Sequence, residues 1–552
     1  MLPPDYCRDM TTRPTRVTQF IRDHLTGVMT LLAGVVSLGA TAFMTLARPQ
    51  AAISFLQRFT SDGGLDDNFV YALQAVDRSL LYLTVALISI GSVFIAIGDR
   101  RLRAWLARFL EGSPARILIS LSLVSLAINA LLIALVPYRA WADFEWYHLR
   151  AIDIVSGRGL VSNDGTPTAF WPVGYSAFLA AIYAVFGAQI VFAQAANALL
   201  RIGMALTTYL VGRNLWGNNV GLAGFTLVAF WPSLLFAICA LILSRAGSPT
   251  WRRSVALGVV IALSAYVRPI TLIFPAFVLI YWWIQTRNFV RPLVNALIVF
   301  AVMALIVAPW TYRNYVVFGR LVPISTNGGL NLFLGNNPVA SGGFTLPPDF
   351  KQAVTLLDEA AKDAYYQRLA VDYIAGHPLQ AVTLAFKKLF FLYARDDQGV
   401  SFATKVTYQL LPPSALGLSI LVSDLYYYAV LGLCLWGFIA RRRMTGMGRG
   451  GLLIGISIAF VTISYLPFLT MDRYHMPVLF AFALLAAHAL GKPANTLPDP
   501  AGGTAGDRSR GRTAPAGLGP YRTPDMPGQL VAERLEQAGS PPQAPAADLT
   551  LR

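Results

Sequence analysis

The chain has 552 residues, of which 55% are hydrophobic and only 13% are charged, and its formal net charge is +16. Because a soluble globular domain is about 25% charged, this composition excludes an ordinary soluble enzyme and a disordered protein, and it leaves an integral membrane protein. The excess of Lys and Arg is typical of cytoplasmic loops, so we expect no nucleic-acid partner.

Apolar runs of about 20 residues predict membrane-spanning helices along most of the chain. The clear runs lie at 27–47, 79–98, 117–137, 189–211, 293–311, 421–440, 451–469 and 474–490. Two more stretches are ambiguous, because Trp231-Pro232 breaks 219–244 and Arg268-Pro269 breaks 254–285. The predicted fold class is an all-α polytopic membrane protein with about 10–12 transmembrane segments and a small mixed extracytoplasmic region.

Short basic loops predict the orientation, because Lys and Arg collect on the cytoplasmic side. Such clusters lie at 99–103, at Arg287 with Arg291, and at Arg441–Arg443. They place 138–188 outside as a first outer loop and 312–420 as a large outer region. Arg245, Arg252 and Arg253 would also lie inside if 219–244 formed a helical hairpin.

The chain is predicted to have three parts. Residues 1–116 form an N-terminal extension with two spans, and residues 117–490 form the membrane core. Residues 491–552 contain ten Pro and nine Gly, a composition typical of disorder, and form a cytoplasmic tail. The three cysteines, Cys7, Cys239 and Cys434, are far apart and support neither a disulfide framework nor a zinc site.

The first outer loop carries the strongest chemical signal. Asp143 and Glu145 follow the 117–137 span, and Trp141 and Trp146 flank them. A carboxylate that is partly shielded at the membrane surface is suited to taking a proton from a hydroxyl group. The alternative is that both are ordinary solvated loop charges.

Several further motifs follow Asp143 in a fixed order. They comprise Tyr147, Ala151, Gly157-Arg158-Gly159, Trp171–Tyr175, Phe186-Gly187, Arg213 with Trp216-Gly217, Val267-Arg268-Pro269, Pro309–Tyr315, Thr326–Gly329, Leu334–Pro338, Gly342-Gly343 and Arg473–Pro477. Together they cover about 117–490 and resemble the GT-C glycosyltransferases. The similarity is greatest to bacterial members akin to protein mannosyltransferases and lipid A aminoarabinose transferases.

The resemblance implies a mechanism. The donor would be a sugar on a polyprenyl phosphate, and the acceptor would be an envelope glycan, lipid or protein that arrives from the outer aqueous face. The family typically inverts the anomeric centre in one displacement. Asp143 matches the first-loop Asp of the family and would activate the acceptor hydroxyl, with Glu145 as the alternative base or as a partner of Asp143.

A departing lipid phosphate needs cationic stabilisation. The candidates on the outer side are Arg268, Arg313, Lys387, Lys388 and Arg473. Each also has a structural explanation. Arg268 could snorkel to the interface, the two lysines could lie on an interfacial amphipathic helix, and Arg473 could be a topology anchor with Asp472.

Other polar residues of the outer regions are candidate substrate contacts: Tyr147, His148, Tyr175, Asn327, Asn336, Asn337 and His475. The Asn-Gly-Gly and Gly-Asn-Asn segments could equally be tight turns that need positive φ. Two isolated histidines do not make a metal site, so no metal ligand is predicted, although a divalent metal cofactor is left open. The expected location is the bacterial inner (plasma) membrane, multi-pass, in contact with membrane lipid and with the active site facing the periplasm.

One departure from the family pattern is clear. Family members usually carry an acidic residue soon after the proline that matches Pro232, often in a Ser-Glu pair, whereas here Arg245 follows Ser244. The missing acid leaves open a catalytically silent scaffold with the same fold. A transporter or flippase of lipid-linked sugars is a separate alternative.

Overall fold

The computed structural model describes residues 19–20, 23–47, 76–101, 104, 112–135, 140, 142–228, 234–244, 249–347, 358–396, 412–440 and 448–490. The predicted tail 491–552, the Arg441–Arg443 cluster, Arg245, the Trp231-Pro232 break and Trp141 lie outside these residues.

The described secondary structure is helical apart from one isolated antiparallel bridge between Val161 and Pro167. The α-helices are α1 Leu25–Ala47, α2 Val76–Ile97, α3 Pro114–Leu135, α4 Asp143–Val155, α5 Val173–Phe186, α6 Ile190–Trp216, α7 Asn218–Val228, α8 Leu234–Ser244, α9 Trp251–Val267, α10 Phe274–Thr286, α11 Val290–Phe318, α12 Gly328–Gly335, α13 Glu359–Gly376, α14 Pro378–Tyr393, α15 Pro413–Ala440, α16 Gly448–Tyr465 and α17 Leu479–Leu490. Short 3₁₀ turns at Pro269–Ile273, Asp472–Tyr474 and Met476–Val478 connect some of them.

Eight described segments are long and apolar enough to cross a membrane, and they confirm the predicted all-α membrane protein. They are α1, α2, α3, α6, the segment Pro269–Thr286, α11, α15 and α16. The remaining apolar helices are shorter, and α9 and α17 add to the same bundle. The chain is therefore a multi-pass membrane protein.

The ambiguous stretch 219–244 forms two helices of 11 residues, α7 and α8. Each is about 16 Å long, which is too short to cross a hydrocarbon layer of about 30 Å. The amide of Asn214, near the end of α6, donates to the Ser244 hydroxyl at 3.2 Å. Both ends of the helix pair therefore lie at the same end of α6, as a helical hairpin requires.

The second ambiguous stretch is broken at Arg268-Pro269. The helix α9 ends at Val267, where Arg268 has an extended backbone, and Pro269 begins a 3₁₀ turn that leads into α10. Proline cannot donate a backbone hydrogen bond, so it ends the preceding helix. The break places the charged residue Arg268 at the C-terminal end of α9.

The bundle core is apolar and includes Phe225, Leu257, Ile261 and Phe480, each at most 1% exposed. A second, smaller cluster around Ala151 and Leu179 packs α4 against α5. The helix α5 reaches α9 at Gly174, where an added Cβ would lie 2.6 Å from the Tyr266 carbonyl oxygen. Only glycine allows this approach, which brings the first outer loop close to Arg268.

Candidate functional site

The helix α4 presents the first carboxylate. It begins at Asp143, next to Ala142 with a φ of 50°, a conformation that residues other than glycine rarely adopt. A carboxylate in the first turn of a helix is stabilised by the helix dipole. The helix ends just before Gly157 and Gly159, which take φ values of 79° and 76°, a conformation that glycine adopts readily.

The guanidinium of Arg473 lies 3.0 Å from the Asp143 carboxylate. Arg473 belongs to the 3₁₀ turn Asp472–Tyr474 in front of α17. The two side chains are 23% and 24% exposed, so a molecule arriving at the surface can reach both. This contact joins the first outer loop to the last motif of the core.

Arg268 reaches the same place from the end of α9. Its Nη1 donates to the Tyr465 hydroxyl at 2.8 Å, and its guanidinium lies 5.8 Å from the Tyr474 ring centroid. The Arg473 guanidinium lies 5.6 Å from that ring, and Tyr465 stacks on Tyr474 at 4.8 Å. Both guanidinium groups therefore lie within about 6 Å of the centre of one aromatic ring, which attracts cations.

Tyr147 lies one turn after Asp143 and completes the cluster. Burial raises the pKa of its hydroxyl, the Asp143 charge raises it further, and Arg268 and Arg473 lower it. The charges of Asp143, Arg268 and Arg473 therefore all act on the Tyr147 hydroxyl. The ring also packs edge-on against Tyr175 at 5.2 Å. We call the set Asp143, Tyr147, Arg268, Arg473 and Tyr474 the outer cluster.

Glu145 and His148 point away from the outer cluster. Glu145 is exposed. His148 exchanges a hydrogen bond of 2.7 Å with the Tyr183 hydroxyl on α5, and burial lowers the pKa of its imidazole, an effect that Glu145 opposes. Tyr175 borders the cluster, and its hydroxyl accepts a hydrogen bond of 2.7 Å from Asn197.

The other predicted phosphate-binding cations are not brought to the outer cluster. Arg313 donates to the carbonyl oxygens of Thr168 at 3.1 Å and Leu160 at 3.3 Å, so it ties the first outer loop to α11. Lys388 is buried and donates to the Asn336 side chain at 3.0 Å. Lys387 is exposed on the opposite side of the same turn of α14.

The three asparagines predicted as sugar contacts all make hydrogen bonds within the protein. The Asn336 and Asn337 amides donate to carbonyl oxygens of α12, at 2.8 Å to Leu332 and 2.9 Å to Phe333. Asn327 precedes α12 without a side-chain capping bond, is 8% exposed, and accepts a hydrogen bond from the Ser325 hydroxyl at 2.9 Å. None of the three asparagines takes positive φ, so the tight turns expected as the alternative are not formed at these residues, and their contact with a sugar stays a prediction.

His475 also has a structural place rather than a surface one. It is 0% exposed, its Nδ1 lies 2.6 Å from the Leu392 carbonyl oxygen, and its Nε2 lies 3.4 Å from the Asp396 carboxylate. Its ring stacks on Tyr427 at 4.9 Å. Because His475 is two residues from Arg473, these contacts fix the turn that carries Arg473.

Three residues near the site were not predicted from the sequence. Tyr465 accepts a hydrogen bond from Arg268, and the Tyr474 ring lies beside both arginines. Tyr474 is part of the motif Arg473–Pro477. The Glu359 carboxylate accepts hydrogen bonds from the Thr168 hydroxyl at 2.6 Å and the Ala169 N–H at 2.8 Å. No local pattern marks Glu359, because its partners are about 190 residues away.

Among the described residues, no group of three or more His, Cys, Asp or Glu side chains lies close enough together to hold a metal ion. The outer cluster itself has one carboxylate and two guanidinium groups. One carboxylate beside two cations is a poor ligand set for a divalent cation.

No known sequence family and no curated protein matches the chain. Solved structures of an archaeal oligosaccharyltransferase from Archaeoglobus fulgidus are similar to it. The crystal structure with zinc and sulfate is 14% identical, with a TM-score of 0.39, over 68% of this chain and 48% of that one. The apo crystal structure is 13% identical, with a TM-score of 0.40, over 68% of this chain and 50% of that one. The complex with an inhibitory peptide and a dolichol-phosphate is 13% identical, with a TM-score of 0.37, over 67% of this chain and 50% of that one.

The chain thus spans about half the length of these structures. At TM-scores below 0.5 they carry no argument about the activity, substrates or partners of this chain.

Proposed function

We propose that this chain is a membrane glycosyltransferase of the GT-C type. It transfers a sugar from a polyprenyl-phosphate donor to a hydroxyl of an envelope glycan, lipid or protein, on the outer face of the bacterial inner membrane. The observation that carries the proposal is the outer cluster, in which one accessible carboxylate lies beside two arginines.

The outer cluster contains groups for both parts of the reaction: two arginines for the leaving phosphate, and Asp143 for the acceptor hydroxyl. Arg268 and Arg473 are cations with planar donor groups that match phosphate oxygens. The Tyr474 ring lies within about 6 Å of both guanidinium groups, and Arg473 is also ion-paired with the partly exposed Asp143. A phosphate that lies between them can compete with Asp143 for Arg473, which frees the carboxylate.

The proposed reaction is one displacement. The acceptor oxygen attacks the anomeric carbon, and the bond from that carbon to the phosphate oxygen breaks. Asp143 takes the proton of the acceptor hydroxyl, and polyprenyl phosphate leaves against Arg268 and Arg473. The attack comes from the face opposite the leaving group, so the anomeric configuration inverts. This is the carboxylate chemistry of inverting sugar transfer with an acceptor in place of water.

Tyr147 lies close enough to Asp143, Arg268 and Arg473 for their charges to act on its hydroxyl. A tyrosine hydroxyl is neutral at physiological pH, and burial raises the pKa of this one further, so it can donate a hydrogen bond to a phosphate or sugar oxygen. We assign it to substrate positioning. The aromatic rings of Tyr175, Trp146 and Trp171 around it are suited to the apolar face of a sugar.

The test is turnover by the purified full-length chain in detergent, where no compartment exists and transport cannot be scored. Polyprenyl phosphates carrying different sugars are incubated with an envelope extract as the acceptor source. We expect release of polyprenyl phosphate, transfer of labelled sugar, and an inverted anomeric signal in the product. A folded protein that releases nothing from any donor contradicts the enzyme and favours a transporter or a silent scaffold.

A further inference from the structure

Arg201 lies within the membrane bundle, and the proposed reaction does not use it. It is the twelfth residue of α6, which is 27 residues and therefore about 40 Å long. If that helix is centred on a hydrocarbon layer of about 30 Å, the Arg201 backbone lies roughly 11 Å below the boundary. An arginine side chain can span much of that distance toward the head groups.

Few groups in the described part of the chain compensate the positive charge of Arg201. Arg201 Nη1 donates to the Asn129 side chain on α3 at 2.9 Å. Its Nε is buried and has no hydrogen-bond partner. Within the part of the chain that the structure describes, no carboxylate lies within ion-pair distance of Arg201, unlike Arg150, Arg158 and Arg473, which are ion-paired.

A cation at this depth is costly without a counter-ion. The hydrogen bond to Asn129 satisfies one N–H but neutralises no charge. A neutral glutamine could join α3 to α6 as well, so helix packing alone does not account for an arginine. Arg201 is only partly buried, so part of it remains accessible beside its contact with Asn129 between α3 and α6.

We propose that Arg201 and Asn129 form a binding site for the phosphate head group of a membrane lipid at the groove between α3 and α6. The lipid phosphate supplies the counter-ion that the described residues do not provide, and the guanidinium N–H groups donate to its oxygens. Two sources share this chemistry, a polyprenyl phosphate and a bulk anionic phospholipid.

The surroundings link the site to the outer cluster. Asn197 lies one turn before Arg201 and donates to the Tyr175 hydroxyl, and Tyr175 packs on Tyr147. A polar and aromatic path therefore runs from Arg201 to the outer cluster. If the bound lipid is the polyprenyl phosphate, which rests on the proposed function, the site holds the lipid carrier beside the reaction centre.

The experiment measures lipid binding by the purified full-length chain with native mass spectrometry in an uncharged detergent. The probes are a polyprenyl phosphate, phosphatidylglycerol and, as a lipid without phosphate, diacylglycerol. The variants are Arg201→Gln and Arg201→Lys, with Arg213→Gln as the control at the far end of the same helix. We expect the wild type, Arg201→Lys and Arg213→Gln to bind a phosphate lipid. Arg201→Gln should bind the same lipid with an affinity that is lower by roughly tenfold or more.

A loss in Arg201→Gln that is confined to the polyprenyl phosphate identifies the carrier lipid, whereas an equal loss for both phosphate lipids identifies the bulk membrane as the source. Equal binding by Arg201→Gln and the wild type overturns the site. A second measurement needs no variant. A phosphate lipid with a photoreactive head group should label peptides that contain Asn129 or Arg201 in the wild type, and labelling confined to other helices contradicts the site. Sugar transfer without this labelling would refute the lipid site and leave the proposed function intact.

Discussion

The Asp143 carboxylate and the Arg473 guanidinium are 3.0 Å apart, although they come from opposite ends of the membrane core. The ion pair means that the proposed base is occupied before substrates arrive. Both side chains are accessible, so the pair can exchange partners at little cost. A phosphate that engages Arg473 would leave Asp143 facing the acceptor.

The first prediction concerns phosphate binding. Arg268→Gln and Arg473→Gln should each weaken binding of a polyprenyl phosphate by roughly tenfold, because each loses a charge-assisted hydrogen bond. Lysine at either position should retain part of the binding, since it keeps the charge but not the planar donor fork. Arg320→Gln, an exposed arginine of the outer region, is the control. Titration of the labelled lipid into detergent-solubilised protein measures the effect, and unchanged affinity in both variants would contradict the assignment.

The second prediction concerns the close approach of α12 to α13. An added Cβ at Gly329 would lie 2.0 Å from the Asp363 carbonyl oxygen, whereas at Gly328 it would meet nothing within 4 Å. The Gly329 N–H also donates to the Asp363 carboxylate at 2.6 Å. Gly329→Ala should therefore lower the thermal stability by several degrees or prevent folding, and Gly328→Ala should be close to neutral. Thermal unfolding in detergent compares the two, and equal stability would rule out this packing.

The third prediction concerns Glu359, which connects α13 to the first outer loop. Its carboxylate accepts from the Thr168 hydroxyl, the Ala169 N–H and the Thr326 hydroxyl. Glu359→Gln should cost about 1–3 kcal/mol, because the amide loses the charge and part of the acceptor capacity. Asp372→Asn, an exposed position on the same helix, should leave stability unchanged. Hydrogen exchange of 160–170 provides the local readout, and equal protection in both variants would show that the contact is unimportant.

The fourth prediction is a pH dependence. Burial lowers the pKa of Lys388 to about 8, whereas the unfolded chain has the ordinary value of about 10.4. Between these pH values the unfolded state binds more protons, so the free energy of unfolding rises with pH. The stability of the wild type relative to Lys388→Met should therefore increase from pH 8 to 10.5, by up to about 3 kcal/mol.

Lys387→Met serves as the matched control, because Lys387 is exposed on the same turn. Thermal unfolding of the three proteins across this pH range measures the difference. A flat difference between the wild type and Lys388→Met would mean that the buried lysine does not titrate in this way.

The fold could be predicted from the sequence because hydrophobic length is a local property. The runs near 117–137 and 293–311 correspond to α3 and α11, and the break at Arg268-Pro269 occurs where proline requires it. The hairpin in 219–244 followed from charge balance between loops. Its exact packing depends on contacts such as Asn214 with Ser244, which no local pattern shows.

The candidate site was only partly predictable. Asp143, Arg268 and Arg473 were identified by their order along the chain, and the structure brings them together. Lys388 and His475 could not be distinguished from them in the sequence. A polar residue can form its hydrogen bonds with partners that are distant along the chain, and the sequence pattern does not show these partners. Asn336 and the Pro467 carbonyl oxygen receive the Lys388 ammonium, and these pairings are fixed only by the tertiary fold.

The most direct test of the account compares Asp143→Asn with Glu145→Gln. The measured quantity is the rate of polyprenyl phosphate release from a sugar-loaded donor that the wild type uses. Asp143→Asn should reduce the rate by about 10² or more, the usual loss on removing a general base. Glu145→Gln should stay within a few fold of the wild type, because Glu145 is exposed and points away from the arginines. Full activity in Asp143→Asn, or the larger loss in Glu145→Gln, would contradict the assignment of Asp143 as the base.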